Sequence, residues 1–162
     1  RISSIALVHE RLYQSREVRR VAMGEYVDVL LSTLYRKLVS EELEINLVKE
    51  LGEFDLSIDL AVPCGLIINE LFSNALIHGF ERKQHGSGTV EVKLYLLAKE
   101  CVVFVSDSGR SLPIKVNTET GSMGLEVVSI LVEQLEGTFR LIGGEGTTFE
   151  VRFPVSRDES VG

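Results

Sequence analysis

The sequence predicts an α+β fold, a two-layer α/β sandwich with helices on one side of a mixed, mainly antiparallel sheet, preceded by a helical lead-in. Three observations carry this. Apolar residues recur at helical spacing through the first forty residues and again over residues 61–80. In several later stretches they alternate with polar ones, the period of a half-buried strand. These strand-like runs come mostly as hairpins with turn-forming residues between them, which favours antiparallel pairing beside a helical layer.

Taken in order, Ile2, Ile5, Ala6, His9, Leu12 and Tyr13 share one helical face, followed by a polar stretch over residues 14–20. Met23, Tyr26, Val27, Leu30, Leu34 and Leu38 form a second stripe. Each stripe needs a partner, either the rest of the chain or a second copy. Leu43, Ile45 and Leu47, then Leu56, Ile58 and Leu60, alternate as strands. A long helix is expected over 61–80, opened near Pro63 and ended near Gly79. Strands at 90–97 and 101–105 flank a tight turn at 98–100, and a Gly-, Ser- and Thr-rich connection covers 106–123. A helix from Gly124 turns Leu125, Val128, Leu131, Val132 and Leu135 inward. Strands at 138–142 and 148–153 flank the turn Gly143-Gly144-Glu145-Gly146, and 157–162 is a polar, frayed tail.

A chain of 162 residues can bury a core without disulfides or a structural metal. Its net charge of −7 is spread along the chain, which argues against a general nucleic-acid surface. A single nucleotide, needing only a few local donors, is not excluded. Cys64 and Cys101 form no CxxC pair and lie in apolar runs, so they read as reduced core thiols of a cytoplasmic protein. No apolar run is read as bilayer-spanning, and no signal-peptide pattern opens the chain. The first residue is Arg1, so a piece of a longer protein is expected.

Four constellations carry chemistry. Glu70, Asn74 and His78 lie four residues apart and line one helical face, opposite Cys64, Ile68, Leu71, Phe72 and Ala75. Asp107-Ser108-Gly109-Arg110-Ser111 follows a strand; such an Asp can accept from an exocyclic amine, and Gly109 lets the backbone approach a flat base. Gly121-Ser122-Met123-Gly124-Leu125 opens a helix whose free N–H groups favour phosphate oxygens. Gly144-Glu145-Gly146-Thr147 is a hairpin turn whose second Gly and Thr can touch phosphates. Taken singly, each has an ordinary reading: an exposed polar helix face, a turn, a glycine near an N-cap, a glycine hairpin.

In this order and spacing the four resemble the Bergerat-fold ATPases shared by gyrase, the mismatch-repair ATPases and histidine kinases, over roughly residues 60–154. The resemblance implies that Asn74 ligates a Mg²⁺ bridging the phosphates of ATP and that Asp107 receives the adenine amino group. It places Gly109, Ser111, Gly121, Gly124, Leu125, Gly146 and Thr147 around the pocket and its lid, with His78 near the phosphates. Glu70 stands where hydrolytic relatives hold a general base; in a kinase it orients the nucleophile or the metal shell. The N-terminal segment, with Ile5-Ala6, Val8-His9-Glu10 and Leu12-Tyr13, resembles histidine kinases of the HWE and second HisKA-type subgroups, as does the short lid at 110–122. There it is the second helix of a dimerisation hairpin, and the phosphorylated histidine lies on the preceding helix in a His-Arg-x-x-Asn-like box. This chain has no such box, and His9 reads as a packing or capping histidine.

The expected organisation is therefore a helical remnant of the dimerisation region at 1–40, an ATP-binding catalytic domain at 41–156 and the tail at 157–162. The expected activity moves the γ-phosphoryl of ATP to a histidine outside this chain, for relay to a response-regulator aspartate. The parent is expected to be a homodimer, and the piece itself a monomer. One departure stands out: Ser111 occupies the second glycine of the family's Asp-x-Gly-x-Gly turn, which predicts a lid set differently and weaker nucleotide affinity. The rival readings are a nucleotide-binding or partner-docking module without kinase activity, and a protein-serine kinase or ATP hydrolase on the same fold.

Overall fold

The computed structural model describes residues 6, 20–39, 41, 44–78, 87–108, 123–143 and 146–155. Within the first expected helix only Ala6 is described, and it is helical. His9 and the 157–162 tail lie outside the described residues.

Strand β1 (Arg20–Ala22) leads directly into helix α1 (Met23–Leu38). Ala22 has no side chain that could cap the helix, and Phe54 supplies a carbonyl that accepts the Met23 N–H at 2.9 Å. Helix α1 buries Met23, Tyr26, Val27, Leu30, Leu31 and Leu34, the stripe its sequence predicts. The Tyr35 hydroxyl donates to the Ile45 carbonyl at 2.6 Å and ties the helix to β2 (Glu44–Leu51). These residues join the same hydrophobic core as the sheet. The expected boundary at residue 40 is thus not a boundary in packing.

Strand β3 (Asp55–Ser57) pairs antiparallel with β1, setting Val21 opposite Leu56. Ile58 and Leu60, expected to continue a strand, instead open helix α2 (Ile58–His78). Their spacing fits the helical face that runs on through Ala61, Cys64, Ile67, Ile68, Leu71, Phe72 and Ala75, and the longer element wins. Pro63 sits in the second turn and does not open the helix; it forfeits only the bond to the Asp59 carbonyl, close to an end where little is lost. The segment Ile58–Ile77 also corrects the expectation that no apolar run reaches bilayer length. It does so because α2 is a core helix, wrapped by the sheet, α1 and helix α3 (Met123–Gln134), and so is apolar nearly all round.

The main sheet has the order β2-β4-β5-β7-β6, with β4 (Ser87–Leu97), β5 (Glu100–Asp107), β6 (Thr138–Gly143) and β7 (Thr147–Pro154). Only β2 and β4 run parallel, joined by the crossover through α2; the other neighbours are antiparallel. Val90, Val92 and Leu94, then Cys101, Val103 and Val105, then Phe149, Val151 and Phe153, form three buried rows under the helices. Each row is every second residue of its strand.

Helix α3 ends in a Schellman turn. Gly137 N–H bonds the Val132 carbonyl at 2.9 Å and Glu136 N–H the Glu133 carbonyl at 3.0 Å, with Glu136 at φ 57°. A side chain is disfavoured there, so Glu136→Gly is expected to stabilise the fold by about 0.5–1 kcal/mol in a urea titration. Gly137→Ala is expected to act in the opposite sense and more strongly. Its methyl would overlap the Arg152 carbonyl oxygen and lie 2.9 Å from Phe153 Cβ.

Both cysteines are buried and free. Hydrogen bonding to Cys64, and then burial, push the Cys101 thiol well above the ordinary 9.0. The folded state therefore holds its proton more tightly than the unfolded chain does. This contribution to stability is complete below pH 9.0 and is lost as pH rises beyond it. Native protein at pH 8 is expected to react slowly with a thiol reagent such as Ellman's, and both thiols to react on unfolding.

Candidate functional site

The three buried rows do not end in apolar residues. The β5 row runs on to Asp107 and the β7 row begins with Thr147, both facing the helices, at 7% and 4% exposure. The two are register partners across the β5–β7 ladder. Gly146 sits directly on this strand end: a methyl there would overlap the Asp107 carbonyl oxygen and stand 3.3 Å from Ser108 Cα. Ser108 N–H bonds the Thr89 carbonyl at 2.9 Å, and the Ser108 hydroxyl accepts the Thr89 N–H at 2.8 Å. The carboxylate is thus carried by backbone fixed on both sides.

On α2, Glu70 and Asn74 are both half-buried, and His78 is the last helical residue. Glu70 Oε1 accepts a hydrogen bond from Asn69 Nδ2 at 3.4 Å. Its other oxygen lies against Gly124 in the first turn of α3, where an added Cβ would stand 2.5 Å from Oε2. Glycine at 124 therefore admits a carboxylate to a helix start, where free N–H groups and the dipole favour negative charge. Leu125 points away into the core, 7% exposed, so its contribution to a pocket is to anchor α3.

The structure thus joins Glu70 with Gly124, and Asp107 with Gly146 and Thr147, on elements that pack on one another through α2 and β5. Gly109, Ser111 and Gly121 lie outside the described residues. A shallow cavity of about 570 Å³ opens beside this site, lined by Tyr35, Glu44, Ile45, Asn46, Gly88, Thr89 and Ser108. It meets the strand end at Ser108 and contains none of the predicted site residues.

Two polar side chains were not singled out from sequence. Asn69 and Ser73, one helical turn apart on α2, are 5% and 3% exposed, and among the described residues Asn69 Oδ1 and Ser73 Oγ have no hydrogen-bond partner. Their residue types were visible; their burial was not, because both fall outside the core-facing stripe.

Among the described residues no group of three or more His, Cys, Asp or Glu side chains could hold a metal. The donors on α2, one amide and one carboxylate, are hard oxygen ligands. Such a set fits Mg²⁺, which keeps several waters and is held by one or two protein oxygens together with substrate phosphates.

Residues 60–157 match the family of histidine kinase-, DNA gyrase B- and HSP90-like ATPases, and residues 1–38 match a histidine kinase family, HisKA_2. The sensor histidine kinase PdtaS of Mycolicibacterium smegmatis is 33% identical over 162 residues, covering 97% of this chain and 32% of that protein. Blue-light-activated histidine kinase 2 of Erythrobacter litoralis is 29% identical over 110 residues, covering 66% of this chain and 31% of that protein. The chain spans about a third of the length of these curated relatives. The histidine kinase domain of the Erythrobacter litoralis blue-light-activated kinase EL346 superposes with a TM-score of 0.80 at 23% identity, covering 97% of this chain and 76% of that one. Fold and sequence agree: the chain belongs to the histidine kinase-, DNA gyrase B- and HSP90-like ATPase family, in its sensor histidine kinase branch.

Proposed function

We propose that this chain binds ATP with Mg²⁺ and supplies the kinase step of its parent protein, moving the γ-phosphoryl group to a histidine outside residues 1–162. A response-regulator aspartate would be the final acceptor. The observation that carries this reading is Asp107: a carboxylate 7% exposed, at the end of a core row, beside Thr147 and under Gly146. A carboxylate so placed suits a flat ligand with an amino group, the adenine of ATP.

Asn74 would contribute its amide oxygen to Mg²⁺, and His78 would lie near the phosphates. Gly109, Ser111, Gly121, Gly124, Gly146 and Thr147 would frame the pocket and lid, with Leu125 anchoring α3 from the core. The metal, when bound, supplies charge neutralisation on the phosphates. Positioning by this chain's residues supplies the rest, as is general for phosphoryl transfer. Glu70 would orient the incoming imidazole or a metal-bound water. The 1–40 segment would connect catalytic and acceptor parts of a cytoplasmic, homodimeric parent.

Calorimetric titration with ATP, with and without Mg²⁺, tests the reading. Saturable binding is expected, strengthened by Mg²⁺ in the wild type and insensitive to Mg²⁺ in Asn74→Ala. Absence of binding at millimolar nucleotide would instead support a docking module that has lost its nucleotide.

A further inference from the structure

We propose that Asn69 is a positioning residue for Glu70, and through it for phosphoryl transfer; the inference rests on the kinase reading above. Asn69 is 5% exposed, and its Oδ1 has no partner among the described residues. A buried, unsatisfied amide oxygen is unfavourable, and an apolar side chain of similar size would remove that penalty. Packing therefore gives no reason for an amide here. The reason lies at the other end of the group, where Nδ2 donates to Glu70 Oε1 at 3.4 Å. With a carboxylate as neighbour the amide must present its NH₂, which leaves the oxygen on the buried side without a donor.

The bond restrains a carboxylate that would otherwise be free to choose among several rotamers. Held this way, Glu70 keeps its second oxygen against Gly124 at the start of α3. The proposed metal ligand Asn74 stands one turn from Glu70 on α2. Ser73 provides an internal control. Its hydroxyl is buried and unpartnered in the same way, yet no bond joins it to Glu70.

The test compares wild type, Asn69→Leu, Asn69→Asp and Ser73→Ala in the full-length parent. It measures thermal midpoint, ATP affinity and the rate of phosphoryl transfer to the acceptor histidine. Asn69→Leu is expected to keep or raise the thermal midpoint, to leave ATP affinity within about twofold, and to slow transfer at least tenfold. Asn69→Asp, which replaces the donor by an acceptor, is expected to slow it as much. Ser73→Ala is expected to leave the rate unchanged. An Asn69→Leu rate equal to wild type would overturn the inference, as would an equal loss in Ser73→Ala. A loss of rate accompanied by a matching loss of ATP affinity or of folding would also overturn it. A wild-type parent that binds ATP without transferring phosphate would overturn the kinase reading and this inference together, so the two failures are told apart.

Discussion

Asp107→Ala is expected to weaken ATP binding by roughly 10- to 150-fold while leaving the fold intact. The expectation follows from where the carboxylate lies. It is only 7% exposed and its backbone is locked by the β5–β7 ladder and by the Ser108–Thr89 bonds. A ligand amine that reaches it meets a pre-oriented, largely desolvated acceptor. A hydrogen bond to a charged group is worth about 1.5–3 kcal/mol, or roughly 10- to 150-fold in affinity. Asp107→Asn should lose less, because its amide oxygen can still accept from the amine but without the charge that strengthens the bond. A nucleotide cycle separates this bond from general damage. Inosine triphosphate, which lacks the exocyclic amine, should bind the wild type weakly, whereas Asp107→Ala should scarcely distinguish it from ATP. Equal preference for ATP over inosine triphosphate in both proteins would remove Asp107 from base recognition.

How much of this was legible beforehand depended on element length. Strands β4, β5, β6 and β7 and helix α3 show their period over six residues or more, and sequence placed them within a few residues. Strands β1 and β3 have three residues each and a single buried contact, Val21 over Leu56, which is too short to display a period. The start of α2 was misplaced because Leu56, Ile58 and Leu60 fit both a strand and the first turn of a helix. At the site, residue types and spacing pointed to Glu70, Asn74 and Asp107. What periodicity could not supply were tertiary facts. These are the register of Asp107 with Thr147, the seat of Glu70 against Gly124, and the burial of Asn69 and Ser73.

Gly65→Ala tests whether the helical lead-in is part of the domain that carries the site. The alanine methyl would coincide with the Tyr26 hydroxyl, with Tyr26 Cζ at 2.6 Å and Cε2 at 3.0 Å. Tyr26 cannot swing aside freely, since it is 5% exposed and is held among Met23, Val27 and Leu30 on α1. Either α1 moves off α2 or the tyrosine leaves the core. Over-packing of this kind costs about 1–3 kcal/mol and occasionally more, and a rigid ring puts this case at the upper end. For a domain of this size the thermal midpoint should fall by roughly 6–12 °C for about 3 kcal/mol. The loss should be strongly non-additive with change at the partner. Tyr26→Leu on the Gly65→Ala background removes the clash and should recover part of the stability, although Tyr26→Leu alone is destabilising. The same substitution bears on function, because α2 carries Asn69, Glu70 and Asn74 on turns following Gly65, and a shift of α2 against α1 would move all three relative to Asp107. Loss of ATP affinity in Gly65→Ala that returns in the double variant would show that α1 supports the nucleotide site. A stability change below about 1 kcal/mol would mean that Tyr26 is not seated on Gly65.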